Sequence, residues 1–304
     1  MRAIQAAPEP DGPRLVAADW LSERGDPRGE HVALQVELAR TRAAPAPRLV
    51  ARLAAIETAP WREPLAALGA RADADGGELE LVRGFVDRAF LADRDIANVA
   101  PLLRREPITR LDVTGSTEHA ATLAARAPEL GRLRELYLHG RYSPGHGALL
   151  RSPYLAELDT LYADELLEAQ LAVLAESVLR PRVLHLSPRP AVARTLAASR
   201  LFERVEELQC GVMFDDDALV EIAHAPLAAL RRLVIGGSQL GPRGLQALGP
   251  RLAQLEVLRH PGRLLDGAAL ALIAREATGL VELELPGAVV PPDHPLRGRF
   301  PRLG

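Results

Sequence analysis

One spacing constrains this chain more than anything else in it. From residue 108 onward a short motif recurs: an apolar residue, two of any kind, a leucine, one of any kind, then usually another apolar residue. It reads Ile108-Leu111-Val113, Leu133-Leu136-Leu138, and Leu155-Leu158 with Thr160 in third place. It continues as Pro181-Leu184-Leu186, Val205-Leu208-Cys210 and Leu230-Leu233-Ile235. Leu255-Leu258 follows with His260 third, then Leu280-Leu283-Leu285. The middle leucines sit at 111, 136, 158, 184, 208, 233, 258 and 283, so successive copies are 22 to 26 residues apart. One such triplet is common in a leucine-rich chain, but a long run of concordant intervals is the signature of a repeat architecture. An earlier pair, Leu79-Leu81, reads as a lead-in strand.

Each motif alternates, so Leu111 and Val113 point one way and Asp112 the other. Helix-like stretches lie between motifs: Thr117–Ala127, Asp164–Leu179, Ala191–Arg200, Asp215–Ala225, Gly241–Leu248 and Asp266–Ala277. Several open on Thr or Asp, which cap free helix N–H groups. Leu219, Ile222 and Ala223 mark one inward helical face. A single unit cannot bury that face, whereas stacked units can. The pattern resembles the leucine-rich repeat. The resemblance implies an α/β leucine-rich-repeat solenoid: a curved parallel sheet lining a concave wall, with helices on the convex side. It spans residues 76–304, as about 8–9 repeats with a proline-rich tail. The Asn or Cys usual late in that motif is replaced by Ser116, Arg141, Ala163, Arg189, Met213, Ser238 and Arg263, which predicts irregular turns.

Residues 1–75 lack the repeat and read as a small helical N-terminal module. Helices are expected over Pro13–Arg24, with Gly25 as a stop, and over Arg28–Arg40, Leu49–Ile56 and Pro64–Leu68, the last two flanking Trp61. The run from Pro13 to Glu30, PRLVAADWLSERGDPRGE, resembles the bacterial repeat-companion domain of myxobacterial and planctomycete type. That module precedes leucine-rich repeats and carries an R-L-x-x-A-D-W-L-x-E-x-G-D stretch. Arg83-Gly84-Phe85-Val86 resembles the junction such proteins place before their repeats. The resemblance implies a bacterial, cytoplasmic repeat protein with a helical cap, and brings no established activity with it. Trp20 is expected to bury against the second helix, with Asp19 or Glu23 pairing Arg14 or Arg28. The alternative is a docking surface for a partner domain.

Composition narrows the function classes. The chain holds no lysine, so all 37 basic residues are arginine, which excludes Schiff-base catalysis and a P-loop lysine. Net charge is −3, without the basic excess of a dedicated nucleic-acid binder. Arg104-Arg105, Arg231-Arg232, Arg243, Arg251, Arg259 and Arg263 are scattered and balanced by acids, so no nucleic-acid partner is expected. No apolar run is long enough for a membrane span, and the first residues lack the apolar core of a secretory signal. One cysteine favours a reducing, cytoplasmic compartment. Cys210 stands in an apolar motif position and is expected to be a buried, inert thiol. The eight histidines show no ligand spacing, His139 and His146 included, so no metal or other cofactor is expected. Asp215-Asp216-Asp217 precedes a helix and reads as its cap rather than as a calcium site. Gly76-Gly77 and Gly236-Gly237 read as turns.

The residues flanking each middle leucine are expected to line the concave wall. They are Arg110 and Asp112, Glu135 and Tyr137, Glu157 and Asp159, Val183 and His185, Glu207 and Gln209, Arg232 and Val234, Val257 and Arg259, Glu282 and Glu284. Stacking would gather Asp112, Glu135, Glu157 and Asp159 into an acidic strip around Tyr137. Such a strip is either a hydrated wall or the contact for a protein partner with a basic patch. With no catalytic constellation in sight, the expected role is non-catalytic protein–protein recognition through that wall. A regulator of a GTPase or kinase in trans, and a self-assembling structural protein, are the alternatives.

Overall fold

The protein, described here as a computed structural model, is an α/β leucine-rich-repeat solenoid. The structure describes residues 3–4, 10–41, 46–115, 117–140, 143–164, 166–211, 214–236, 241–260, 265, 267–286, 289–301 and 303. Nine strands form one parallel sheet in chain order: β1 (Arg88–Ala92), β2 (Arg110–Thr114), β3 (Glu135–His139), β4 (Thr160–Ala163), β5 (Val183–Leu186), β6 (Glu207–Cys210), β7 (Arg232–Ile235), β8 (Val257–Arg259) and β9 (Glu282–Glu284). Parallel neighbours need a crossover between them. Here those are α5 (Val99–Arg105), α6 (Glu118–Ala125), α7 (His146–Leu150), α8 (Glu168–Glu176), α9 (Pro190–Ala197), α10 (Asp216–Ile222), α11 (Pro242–Leu248) and α12 (Gly267–Glu276), and α13 (Pro295–Arg299) follows the last strand.

The middle residues Ala89, Leu111, Leu136, Leu161, Leu184, Leu208, Leu233, Leu258 and Leu283 pair in one row and turn inward. With inward helix residues such as Leu219 and Ile222 they form one continuous core along the stack. Burying each leucine contributes about 1.5–3 kcal/mol, which no isolated unit could secure. Thr117 and Asp215 cap their helices by accepting from Ala120 N and Ala218 N, so the capping expectation for the aspartate run describes Asp215. Of the late motif positions, Ala163 is buried and Arg189 exposed. Ser116, Arg141, Met213, Ser238 and Arg263 lie outside the described residues, as do Gly237 and Asp266.

Two expected strand assignments are corrected. Leu79 and Leu81 are buried but not in a strand, and the sheet begins instead at β1, where Ala89 takes the leucine's place. In the fourth repeat the middle leucine is Leu161, not Leu158: Leu136 pairs with Leu161, while Leu158 ends the turn before the strand. Both leucines are buried, so hydrophobicity alone does not choose between them.

The N-terminal residues form α1 (Asp11–Ser22), α2 (Pro27–Arg40), α3 (Pro47–Ala54) and α4 (Ala59–Ala66). Helices α1 and α2 approach closely at Gly29, where a Cβ would lie 2.3 Å from Ser22 Oγ. The junction turn at Gly84 has φ +82°, and a Cβ there would lie 2.2 Å from Val32 Cγ2. Arg28 ties α2 to the solenoid: its Nη2 donates to both Glu106 oxygens at 2.8 Å and its Nε to the Gly84 carbonyl. Val86 N donates to the same carboxylate. Burial pushes the Glu106 carboxyl up, opposed by the Arg28 charge and hydrogen bond. Arg14 is buried and donates to the Val82 and Arg83 carbonyls. The expected pairings of Arg14 or Arg28 with Asp19 or Glu23 therefore do not form. Nor does Trp20 bury: it is 53% exposed, and the Arg24 guanidinium lies 3.8 Å above its ring.

Candidate functional site

The sheet face opposite the helices carries two rows of side chains. The first row, before the middle residues, is Arg88, Arg110, Glu135, Thr160, Val183, Glu207, Arg232, Val257 and Glu282. The second row is Phe90, Asp112, Tyr137, Tyr162, His185, Gln209, Val234, Arg259 and Glu284. Of the expected wall residues, Asp112, Glu135, Tyr137, His185, Gln209, Arg232, Arg259, Glu282 and Glu284 stand in these rows.

Glu157 and Asp159 do not. With Leu161 in the middle, the fourth strand presents Thr160 and Tyr162 instead. Asp159 belongs to the leading edge of the sheet. There its N donates to the Arg134 carbonyl, and its own carbonyl accepts from Arg182 N and Val183 N. That edge runs Arg134, Asp159, Arg182, Glu206, Arg231, Glu256 and Val281, each backbone N–H donating to the carbonyl before it at 2.8 Å. Its charges alternate in sign, which removes the like-charge repulsion an acidic strip would carry. Glu157 is exposed at the end of the preceding turn.

The acidic strip is therefore absent, and Asp112 confirms it from the other side. Its side chain is buried, and three cationic or donor groups converge on it: Arg88 Nε at 3.2 Å, Arg110 Nε at 3.1 Å and His139 Nε2 at 3.1 Å. Burial alone would raise this carboxyl, but hydrogen bonds from His139 and Arg110 with the arginine charges outweigh it and hold it below the ordinary carboxylate range. Arg110 also lies 3.9 Å above the Tyr137 ring and 3.8 Å from Glu135.

Beside these charges the first five strands carry a run of rings. Tyr137 and Tyr162 stack at 5.5 Å, with His139 within 6.2 Å of the first and 5.6 Å of the second. His185 meets Tyr162 edge-on at 4.1 Å, and Phe90 lies beneath His139 at 6.4 Å. Burial pushes the Tyr137 hydroxyl pKa up, with Arg110 opposing. The same cause lowers His185, against the pull of Asp164. Sequence reading missed Phe90, Tyr162 and His139 as members of this strip. Phe90 and Tyr162 follow from the two strand corrections, and His139 from its place two residues beyond Tyr137.

The last four strands carry paired charges: Arg232 to Glu207 at 3.6 Å, Arg259 to Glu284 at 3.2 Å and to Glu282, and Gln209 to Glu207 at 2.6 Å.

One further grouping has the composition of a hydrolytic triad. His185 Nε2 lies 3.8 Å from Asp164 Oδ1, and Ser187 follows two residues on. The separation exceeds a hydrogen bond. Asp164 Oδ1 and Ser187 Oγ both lie within 2.5 Å of where a Gly211 Cβ would stand, and both are shut from solvent without a hydrogen-bond partner. Ser187 Oγ, the oxygen that would have to attack a substrate, is thus shut away from solvent. Cys210 is wholly buried and its thiol pushed well up by burial. Among the described residues no three His, Cys, Asp or Glu side chains are placed to hold a metal ion, and no helix is long and apolar enough to cross a membrane.

No protein-family model matches this sequence, and no curated protein matches it. Among solved structures, a chain of the yeast Rad7 and Elc1 complex is similar to it over 88% of this chain and 71% of that one. The identity is 13% and the TM-score 0.47.

Proposed function

We propose that this protein is a non-catalytic scaffold that binds another protein through the aromatic strip on the open face of its sheet. The observation that carries the reading is the contrast between rings and charges there. Tyr137, His139, Tyr162 and His185 are half-buried on an open surface, while Asp112, the one buried acid of the face, is already matched by its own neighbours. Aromatic side chains with a polar tip are the residue types that anchor protein interfaces. The expected basic patch on the partner loses its basis over residues 112–159, because those acids are spent or lie elsewhere.

Capture from the source cells, followed by affinity measurement with the purified partner, tests this. Wild type and Arg259→Ala should retain the same protein and Tyr162→Ala should lose it. Equal recovery on all three overturns the reading.

We read the N-terminal helices as a companion-type module in a bacterial, cytoplasmic protein. Support comes from where its motif residues fall: Arg14, Arg28, Gly29, Gly84 and Phe85 all sit within the module or at its seam with the repeats. The self-assembly alternative has one observation in its favour. Val16, 70% exposed, and Trp20 lie one turn apart on the outer side of α1. Concentration-dependent light scattering of the whole chain, abolished by Trp20→Ala, would support that alternative.

A further inference from the structure

Among the described residues nothing pairs with the outer edge of the last strand, and a groove runs beside it. Along the leading edge of the sheet each carbonyl accepts two N–H groups from the next repeat: Asp159 from Arg182 and Val183, Arg182 from Glu206 and Glu207, Glu206 from Arg231 and Arg232, Arg231 from Glu256 and Val257, Glu256 from Val281 and Glu282. The next carbonyl in this series is that of Val281, and among the described residues no donor reaches it. Strand β9 therefore repeats the geometry that seats a neighbouring strand, with no such neighbour among the described residues. The other end of the sheet is closed, since Arg71 exchanges both backbone hydrogen bonds with Phe90 of β1.

The surroundings of this edge are those of a binding groove. A space of about 810 Å³ runs along Val281–Pro286, walled on the far side by Arg299, Phe300, Pro301 and Leu303. Val281, which lines this groove, is 80% exposed. An exposed apolar side chain beside an open strand edge fits a contact surface.

Charge decides the occupant. Glu282 and Glu284 stand on the open face of β9 and share Arg259 as their ion-pair partner, so two acids face one cation. A second copy pairing through the same edge would bring glutamates against glutamates, which like-charge repulsion disfavours. We propose that this edge takes an extended segment of a different protein by strand addition, with basic residues at alternate positions. Those residues lie beside Glu282 and Glu284, and the intervening apolar side chains face Leu283, Phe300 and Leu303. The inference stands apart from the aromatic strip and does not depend on it.

The test uses a fluorescein-labelled heptapeptide alternating lysine and valine, read by anisotropy against the 304-residue chain. Binding should weaken about tenfold on Glu282→Lys/Glu284→Lys, the sum expected for two reversed cross-strand pairs. A peptide N-methylated at alternate amides should weaken at least as much, because strand addition requires main-chain donors. A peptide alternating glutamate and valine should not bind. Unchanged affinity for the double variant or the N-methylated peptide overturns the proposal. So does self-association of the chain in sedimentation that the double variant abolishes. Tyr162→Ala should leave peptide binding intact; loss there, with the double variant still binding, moves the peptide to the aromatic strip and refutes the edge site.

Discussion

The first five strands and the last four share one backbone register and solve the crowding of stacked side chains in different ways. Equivalent positions on neighbouring strands stand about 4.8 Å apart, so any row of like groups must find a reason to coexist. In β1–β5 the reason is burial. Two arginines and a histidine close over one aspartate, and the rings of Tyr137 and Tyr162 stack beside them. In β6–β9 the reason is alternation. Glu207 faces Arg232, and Arg259 stands between Glu282 and Glu284, all but Glu207 about half exposed. The first half gathers its contacts into a few half-buried groups, while the second is a more hydrated surface on which Glu282 and Glu284 share one arginine. Net charge along the face says nothing about this difference; only the burial of Asp112 does.

The sharpest way to break the comparison is to remove the buried carboxylate. Asp112→Ala leaves Arg88, Arg110 and His139 without their shared acceptor and should cost about 2–3 kcal/mol in urea unfolding. A cost below that of a surface pair would show the two halves to be energetically alike. The pH dependence follows with a definite sign. The folded-state pKa of Asp112 is lowered, so its contribution is complete above the ordinary carboxylate value and is lost as pH falls through the folded value. The stability gap between wild type and Asp112→Asn should therefore narrow in acid. A gap that widens in acid would mean the carboxyl is raised instead.

A smaller effect isolates the rings. Tyr162→Leu keeps apolar contact but removes the stack on Tyr137 and the edge contact with His185, for a loss of about 0.5–1.5 kcal/mol. Thermal unfolding of the single variant and of its double with Tyr137→Leu measures the coupling between the two rings. Simple additivity would reduce the strip to separate, unlinked side chains.

The solenoid was legible in the sequence because the period is a collective property: stacked leucines must recur once per coil whatever else changes. The site was less legible because it depends on registration to a single residue. Leu155, Leu158 and Leu161 are evenly spaced by three, so the motif fits the fourth repeat in two frames. The choice of frame decides whether Asp159 or Tyr162 faces outward. A signal did exist: Pro128-x-Leu130-x-x-Leu133-x-x-Leu136 is repeated 25 residues later as Pro153-x-Leu155-x-x-Leu158-x-x-Leu161. The proline opens the same turn in both copies, Pro128–Arg132 and Pro153–Glu157, and fixes the frame. The first strand is hidden for a different reason, since Ala89 replaces the leucine that defines the motif. Trp20 was misplaced because residue type alone favours burial for a ring that Arg24 instead covers from the solvent side.

The smallest effect belongs to the charged half and is read best through salt. Glu282→Ala removes one partner of Arg259 but leaves Glu284, both partly exposed, so its cost should fall within about 1 kcal/mol. Exposed pairs are screened once the Debye length shrinks to a few ångströms, as it does near molar salt, whereas a buried carboxylate is screened far less. Unfolding measured at low and at molar salt should thus erase the Glu282→Ala difference and preserve most of the Asp112→Ala difference. Equal salt sensitivity in the two variants would place Asp112 in the same watery environment as the glutamates. The burial that distinguishes the aromatic half would then have no energetic consequence.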